Sequence, residues 1–268
     1  MAPGTRPTSV LPCAAVTVAA RPSPLARAWS ARWPLGAEIA LFLVLMAIYE
    51  WVRDLVAVED PTRPIQHALD VIDVEKALGL FVEPDVQDFA HSVAGGEFIT
   101  TWAYTLGHVT GYVIAFAFVW FRRRPYFAAF RNWFWTTNAL ALIGYSLYPL
   151  APPRLTDLGL EDPTKTPLEL GGALSWFEPF RNEFAAMPSM HVGYTLLFAL
   201  TLVWLLRPSP WRWLALLWPA AMLFVVMATA NHWWLDGIGG AGAVLLGLAI
   251  VAPLCRSLPR PWAYPEGR

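Results

Sequence analysis

Hydrophobic positions along this chain gather into six long runs separated by polar connections, at residues 35–58, 98–121, 127–150, 190–206, 211–229 and 233–254. Each run is close to the about 20 residues an α-helix needs to cross some 30 Å of hydrocarbon. Pro208 and Pro210 separate the fourth from the fifth. Trp33, Trp51, Tyr148, Trp211 and Trp213 stand near segment ends, as aromatic side chains do at a membrane interface. The pattern predicts an all-α, polytopic bundle of six transmembrane helices over residues 35–254. Residues 1–34, rich in Pro, Ala, Ser and Arg and without an acid, read as a disordered cytoplasmic tail, and 255–268 as a second one. The run 10–20 has the length of a signal-peptide core, but Pro12 breaks it and Arg21 follows directly, which favours the tail.

Two connections are long. In 59–96, Ala68, Leu69, Ile72, Leu78, Leu80 and Phe81 recur at helical spacing among many acids, predicting short amphipathic helices on the outer surface. Residues 151–188 hold a Pro-rich stretch and a polar loop. Lys and Arg then orient the segments. Arg6, Arg21, Arg27, Arg32, Arg122, Arg123, Arg124, Arg131, Arg207, Arg212, Arg256, Arg260 and Arg268 fall on one set of connections. Only Arg63, Lys76, Arg154, Lys165 and Arg181 fall on the other. Both termini are therefore expected in the cytoplasm.

Composition agrees with a cell-membrane protein: 56% of the 268 residues are hydrophobic and 15% charged, with 15 Trp. A soluble domain carries about a quarter charged residues. The net charge of −1 offers no field to attract nucleic acid. Cys13 and Cys255 have no metal-like spacing and read as free thiols.

Once oriented, the segments sort the remaining polar residues. Arg154 closes the third segment, Ser189 and His191 open the fourth, and His232 and Asp236 open the sixth, so three stretches distant in sequence converge at one outer depth. Ionisable groups there are costly and point to function. His232 and Asp236 are four apart and share a helix face, where a carboxylate can fix the imidazole tautomer. His191 suits the complementary acid, and Arg154 with the helix start after Pro188 suits phosphate oxygens. That set predicts phosphoryl transfer without a cofactor or metal. Competing readings are interfacial or structural histidines, a two-His-one-carboxylate metal set, a non-enzymatic lipid-binding or transport protein, and bis-His haem ligation through His108. Tyr104 and His108 lie near mid-bilayer in the second segment, as packing or substrate-gate residues around the site. Asn231 reads as a cap of the sixth helix, with phosphate contact as its alternative. Gly237, Gly239, Gly240 and Gly242 read as permitting close helix packing.

The motifs YPLAPPR at 148–154, NEFAAMPSMHVGY at 182–194 and NHWWLDGIGG at 231–240, with LGLFVEP ending at Pro84 and with Tyr104 and His108, resemble the PAP2 (type 2 phosphatidic acid phosphatase) superfamily. The likeness is greatest to the inositolphosphotransferase branch that holds the inositol phosphorylceramide synthases. The resemblance implies a six-helix bundle with an extracytoplasmic site, His232 as attacking histidine or base, Asp236 orienting it, His191 as proton donor and Arg154 as phosphate clamp. It implies a membrane lipid substrate (phospholipid or polyprenyl phosphate) and an acceptor that is water, inositol or another polyol. Two phosphate-holding cations of the phosphatases are replaced: Leu147 stands for a Lys, and Val225 and Val226 for a Ser-Arg pair. Fewer cations suit a phosphodiester or diphosphate better than a dianionic monoester, hence a transferase or phosphodiesterase at least as well as a phosphatase.

Overall fold

The computed structural model describes residues 34–163 and 182–257. Both predicted tails, apart from their innermost residues, lie outside that range. Eight α-helices make up the described chain: α1 (Leu35–Leu55), α2 (Thr62–Ala77), α3 (Glu83–Ser92), α4 (Gly96–Arg122), α5 (Phe127–Leu147), α6 (Met190–Leu205), α7 (Leu217–Ala228) and α8 (Trp234–Ser257). Three of the six predicted apolar runs are α1, α4 and α5, and a fourth is α6. The fifth is split into a 3-10 segment, Pro210–Leu216, and α7, and the sixth is α8. Among the described residues there is no strand, only an isolated bridge between Leu150 and Ala185.

Three helical stretches are long and apolar enough to cross a membrane: Leu35–Leu55, Pro210–Ala228 and Trp234–Pro253. The α4 helix bends by 45° between Gly107 and Val109 and adds a fourth if the bent pair is one span. With 16 residues, α6 is shorter. Helix α6 is apolar all round because it is enclosed: α4, α5, α7 and α8 pack against it, burying Val192, Leu197, Phe198, Ala199 and Val203. In contrast, α1 touches mainly α5 and leaves Leu43, Trp51 and Leu55 exposed.

An ion pair ties α1 to α5. Arg131 Nη1 donates to both carboxylate oxygens of Glu38 at 2.6 and 2.8 Å, with the two side chains 2% and 7% exposed. Arg131, expected as a charge on a cytoplasmic connection, is instead a buried residue of α5, so it does not contribute to the surface excess of positive charge. The imbalance between the two faces survives without it.

The outer connection holds two short helices, α2 and α3. Helix α2 turns its apolar face toward the protein, where Ala68, Val71 and Ile72 pack with Leu150, Ala151, Ala186 and Trp233. His67 stacks on Tyr148 at 4.1 Å, and its Nδ1 lies 2.8 Å from the Pro149 carbonyl. The helix is amphipathic, as its spacing predicts, but the apolar surface it covers belongs to the two loops carrying YPLAPPR and NHWW. It roofs these loops, while Leu69, Leu78 and Leu80 stay exposed.

Close approach of α6 and α8 depends on a glycine. A Cβ on Gly240 would collide with the Ser189 carbonyl oxygen, which is backbone and has no rotamer to yield. Gly237 meets a Leu223 methyl, and Gly239 makes only tight contact with Met187. Gly242 faces open space, so its expected packing role is not found. Gly240→Ala is expected to destabilise the protein by about 1–3 kcal/mol and to disturb the α6 start, whereas Gly242→Ala should be neutral or slightly stabilising. Thermal unfolding of the two variants in detergent micelles checks this, and equal Tm values would refute it.

Candidate active site

The chain leaves α7 through a tight reversal. Ala230 takes φ 50°, the left-handed region that costs a non-glycine residue about 1–2 kcal/mol. Its carbonyl accepts the Arg154 backbone N–H at 3.0 Å, joining the third-segment motif to the sixth. Two residues later His232 is buried, and Asp236 is fully enclosed one turn on, in α8.

The tautomer of His232 follows from its partners. Nδ1 lies 2.9 Å from the Ala186 carbonyl oxygen and 3.3 Å from Asp236 Oδ2. A carbonyl oxygen only accepts, so Nδ1 carries a proton, and in the neutral ring the lone pair is on Nε2. Asp236 Oδ2 also accepts the Trp233 backbone N–H at 3.0 Å, which holds the carboxylate in place. His191, in the first turn of α6, brings its ring to 5.4 Å from that of His232. Tyr104 of α4 stacks on the His191 ring at 4.2 Å and 18°. The Ser189 backbone N–H donates to the Asp236 carbonyl at 2.9 Å, while Ser189 Oγ is buried with no hydrogen-bond partner among the described residues.

Arg154 is held by two groups. Nη1 donates to Asn231 Oδ1 at 2.7 Å, and Nε forms an ion pair with Asp162 Oδ2 at 3.0 Å. Asn231 in turn donates to the Thr229 carbonyl at 2.8 Å. Its side chain therefore does not cap the sixth helix, as the sequence suggests. The chain reversal at Ala230 turns it toward Arg154.

His191, Ser189, Arg154, Asn231, His232, Asp236 and Tyr104 thus meet in one place. His108 lies at the bend of α4, and its side chain is outside the described residues. Among the described residues no group of three His, Cys, Asp or Glu side chains is placed to hold a metal ion. A family model described as the PAP2 superfamily matches residues 69–251, two-thirds of the chain. The chain belongs to the PAP2 superfamily. Neither the curated proteins nor the solved structures contain a match to it. Membership in this superfamily brings a phosphatase-type activity on lipid phosphoesters.

Three further residues shape the site of this PAP2 protein without having been singled out from sequence. Asp162 is one. The others are Glu75 and Glu83, both fully buried. The first backbone N–H groups of α8 have no partner within the helix and need acceptors. Glu83 Oε1 takes the Trp234 N–H at 2.9 Å, and Glu75 Oε1 takes the Leu235 N–H at 3.3 Å. With Asp236 on Trp233, carboxyl groups from α2, α3 and α8 itself cap the helix that carries Asp236; His232 lies just before this helix, so the pair does not share a helix face as its spacing predicts. Glu75 had a detectable signal: it continues the Ala68–Val71–Ile72 stripe, and an acid on an apolar stripe needs a partner.

Burial, and then the neighbouring charge of Glu83, push the Glu75 carboxyl from 4.5 up to about 9, and burial raises Glu83 as well. The folded protein therefore keeps a proton on this pair that the unfolded chain loses. Its contribution to stability is complete below pH 4.5 and declines as pH rises toward about 9. Unfolding in micelles is expected to give a lower Tm at pH 9.5 than at pH 6.5. Glu75→Gln, neutral at every pH and still an acceptor for Leu235, should flatten that difference; an unchanged slope in the variant would refute the assignment.

Proposed function

We propose that the protein is an integral membrane phosphotransferase or phosphatase of six spans, working on a lipid-linked phosphate ester at the extracytoplasmic face. The observation that carries this reading is the double hydrogen bond at His232 Nδ1, which leaves Nε2 as a nucleophile, with the His191 ring 5.4 Å away as proton donor. Nε2 attacks phosphorus, and an N–P bond forms as the P–O bond to the lipid alcohol breaks. His191, entering as imidazolium, protonates the departing oxygen. In the second half the acceptor hydroxyl gives its proton to His191, its oxygen bonds to phosphorus, and the N–P bond of the phosphohistidine breaks. Arg154 holds phosphate oxygens, and the buried Ser189 hydroxyl is available to donate to them.

The orientation rests on the excess of arginine over the opposite face and on the Glu38–Arg131 pair. Glu38 is in the first turn of α1 and Arg131 near the start of α5, so both helices begin at one depth and run the same way. Both termini then lie in the cytoplasm and the site lies opposite.

Among reactions open to the fold, the inositolphosphotransferase-like one is favoured by the small number of cations. Leu147, Val225 and Val226 are aliphatic, so none of these positions supplies a charge. The test uses purified protein in micelles with phosphate-labelled phosphatidic acid and phosphatidylinositol, each with and without free inositol. The expected result is release of label from phosphatidylinositol, with an inositol-dependent product and no loss in EDTA. Rapid turnover of phosphatidic acid without any transfer product would overturn the transferase reading in favour of a phosphatase. Lipid binding without turnover would overturn both.

A further inference from the structure

Gln87 of α3 is a polar side chain set inside the protein, 3% exposed, and its partners are backbone groups far along the chain. Oε1 accepts the Glu161 N–H at 2.9 Å. Nε2 donates to the Glu161 carbonyl at 2.9 Å and to the Ala228 carbonyl at 3.1 Å. The amide thus pairs with both polar groups of Glu161, as a neighbouring strand would, and serves the final carbonyl of α7 with its second N–H. One N–H and two carbonyls around it leave a single way round for the amide. Glu83, four residues earlier, shares that face of α3 and takes the Trp234 N–H at 2.9 Å, the first of α8. Between Ala228 and Trp234 runs the reversal that carries Ala230, Asn231 and His232. Helix α3 therefore grips this reversal at both ends. A non-glycine residue at φ 50°, as Ala230 is, persists only where its surroundings over-determine it.

The two segments that Gln87 joins are also two that hold Arg154. Asp162, next to Glu161, pairs with Nε at 3.0 Å. Ala230, two residues after Ala228, accepts the Arg154 backbone N–H at 3.0 Å, and Asn231 Oδ1 takes Nη1 at 2.7 Å. We propose that Gln87 is a positioning residue for the reaction, which ties the 161–162 segment to the end of α7 and so fixes the Arg154 fork relative to His232. The inference rests on the phosphotransfer reading given above and adds to it a residue of α3 that acts through Arg154. With the tie cut, the arm bearing Asp162 and the arm bearing Asn231 move independently, and the planar fork between them loses its aim. A misplacement of about 1 Å in a group that orients the reacting phosphate costs up to about a hundredfold in rate.

The experiment compares wild type, Gln87→Met, Arg154→Lys and the double variant on phosphate-labelled phosphatidylinositol and phosphatidic acid in micelles. Met fills a similar volume and removes the amide. Gln87→Met alone is expected to lower kcat/KM by about 10- to 100-fold, with KM raised several-fold because Arg154 also holds phosphate in the ground state. In the Arg154→Lys background there is no planar fork to aim, so the same change should cost less than about threefold. A merely structural role would lower the folded fraction, and with it kcat, by the same factor in both backgrounds and leave KM alone. Equal losses in the two backgrounds, or an unchanged KM, overturn the proposal while leaving the phosphotransfer reading intact. Wild-type protein inactive on both phospholipids overturns that reading, and the proposal with it. Hydrogen exchange on wild type alone guards against a variant that fails to fold. Glu161 is exposed, but its N–H donates to the oxygen of a buried side chain, so this amide should exchange at least about a hundredfold more slowly than an open loop amide. Exchange at the open-loop rate overturns the proposal.

Discussion

His232→Ala is expected to reduce turnover of the lipid phosphoester by at least about a thousandfold, with little change in the amount of folded protein in the membrane. The size follows from the role: the attacking atom itself is removed, and neither His191 nor Arg154 has a lone pair in its place. Stability should change little by comparison, because the site around His232 is tied by other bonds. Trp233 donates to the Ala151 carbonyl at 3.0 Å, and Arg154 N–H to Ala230. The measurement is initial rate against expression-normalised protein, joined to an alkaline denaturing quench that traps label bound to the enzyme. Wild type should retain acid-labile, base-stable label and the variant none. Turnover within tenfold of wild type would remove His232 from the chemistry.

The second large effect is expected at Asp236. Asp236→Asn should lower kcat by about a hundred- to a thousandfold while leaving KM within a few-fold. Two acceptors share the His232 Nδ1 proton, so losing the carboxylate does not free the ring to change tautomer; the Ala186 carbonyl at 2.9 Å still demands a donor. What disappears is the negative charge that stabilises the ring as positive charge builds on it during attack. A loss confined to kcat is the signature of an interaction made in the transition state. A rise in KM with kcat unchanged would instead assign Asp236 to substrate binding.

The helical stretches of this protein were legible because each apolar run is long and bounded by Arg, Pro or aromatic residues. Observed helix ends fall within a few positions of those runs, with the fifth interrupted by a 3-10 turn that begins at Pro210. Motif residues were legible as a set, since orientation alone puts Arg154, His191 and His232 on one face. What the sequence withheld are partnerships across long separations. Glu83 is bound to the N–H of Trp234, 151 residues away, and nothing local to either residue announces the other. Asp162 lies in a polar loop, where an acid is ordinary until the fold shows it against Arg154. Asn231 was placed in the wrong role for a related reason: next to a helix start it resembles a cap, but the left-handed Ala230 redirects it. Amphipathic spacing in α2 correctly announced an apolar face and said nothing of whether protein or lipid would cover it.

The Gly240–Ser189 contact has a consequence for how such a site can diverge. The spacing between α6, which opens with His191, and α8, which follows His232, is held where backbone meets backbone, with no side chain between. Side chains elsewhere along α6 and α8 are then free to change in size and polarity without altering the gap between the two histidines. Substrate preference can drift through those positions while the reaction itself stays constant, so long as one glycine is kept.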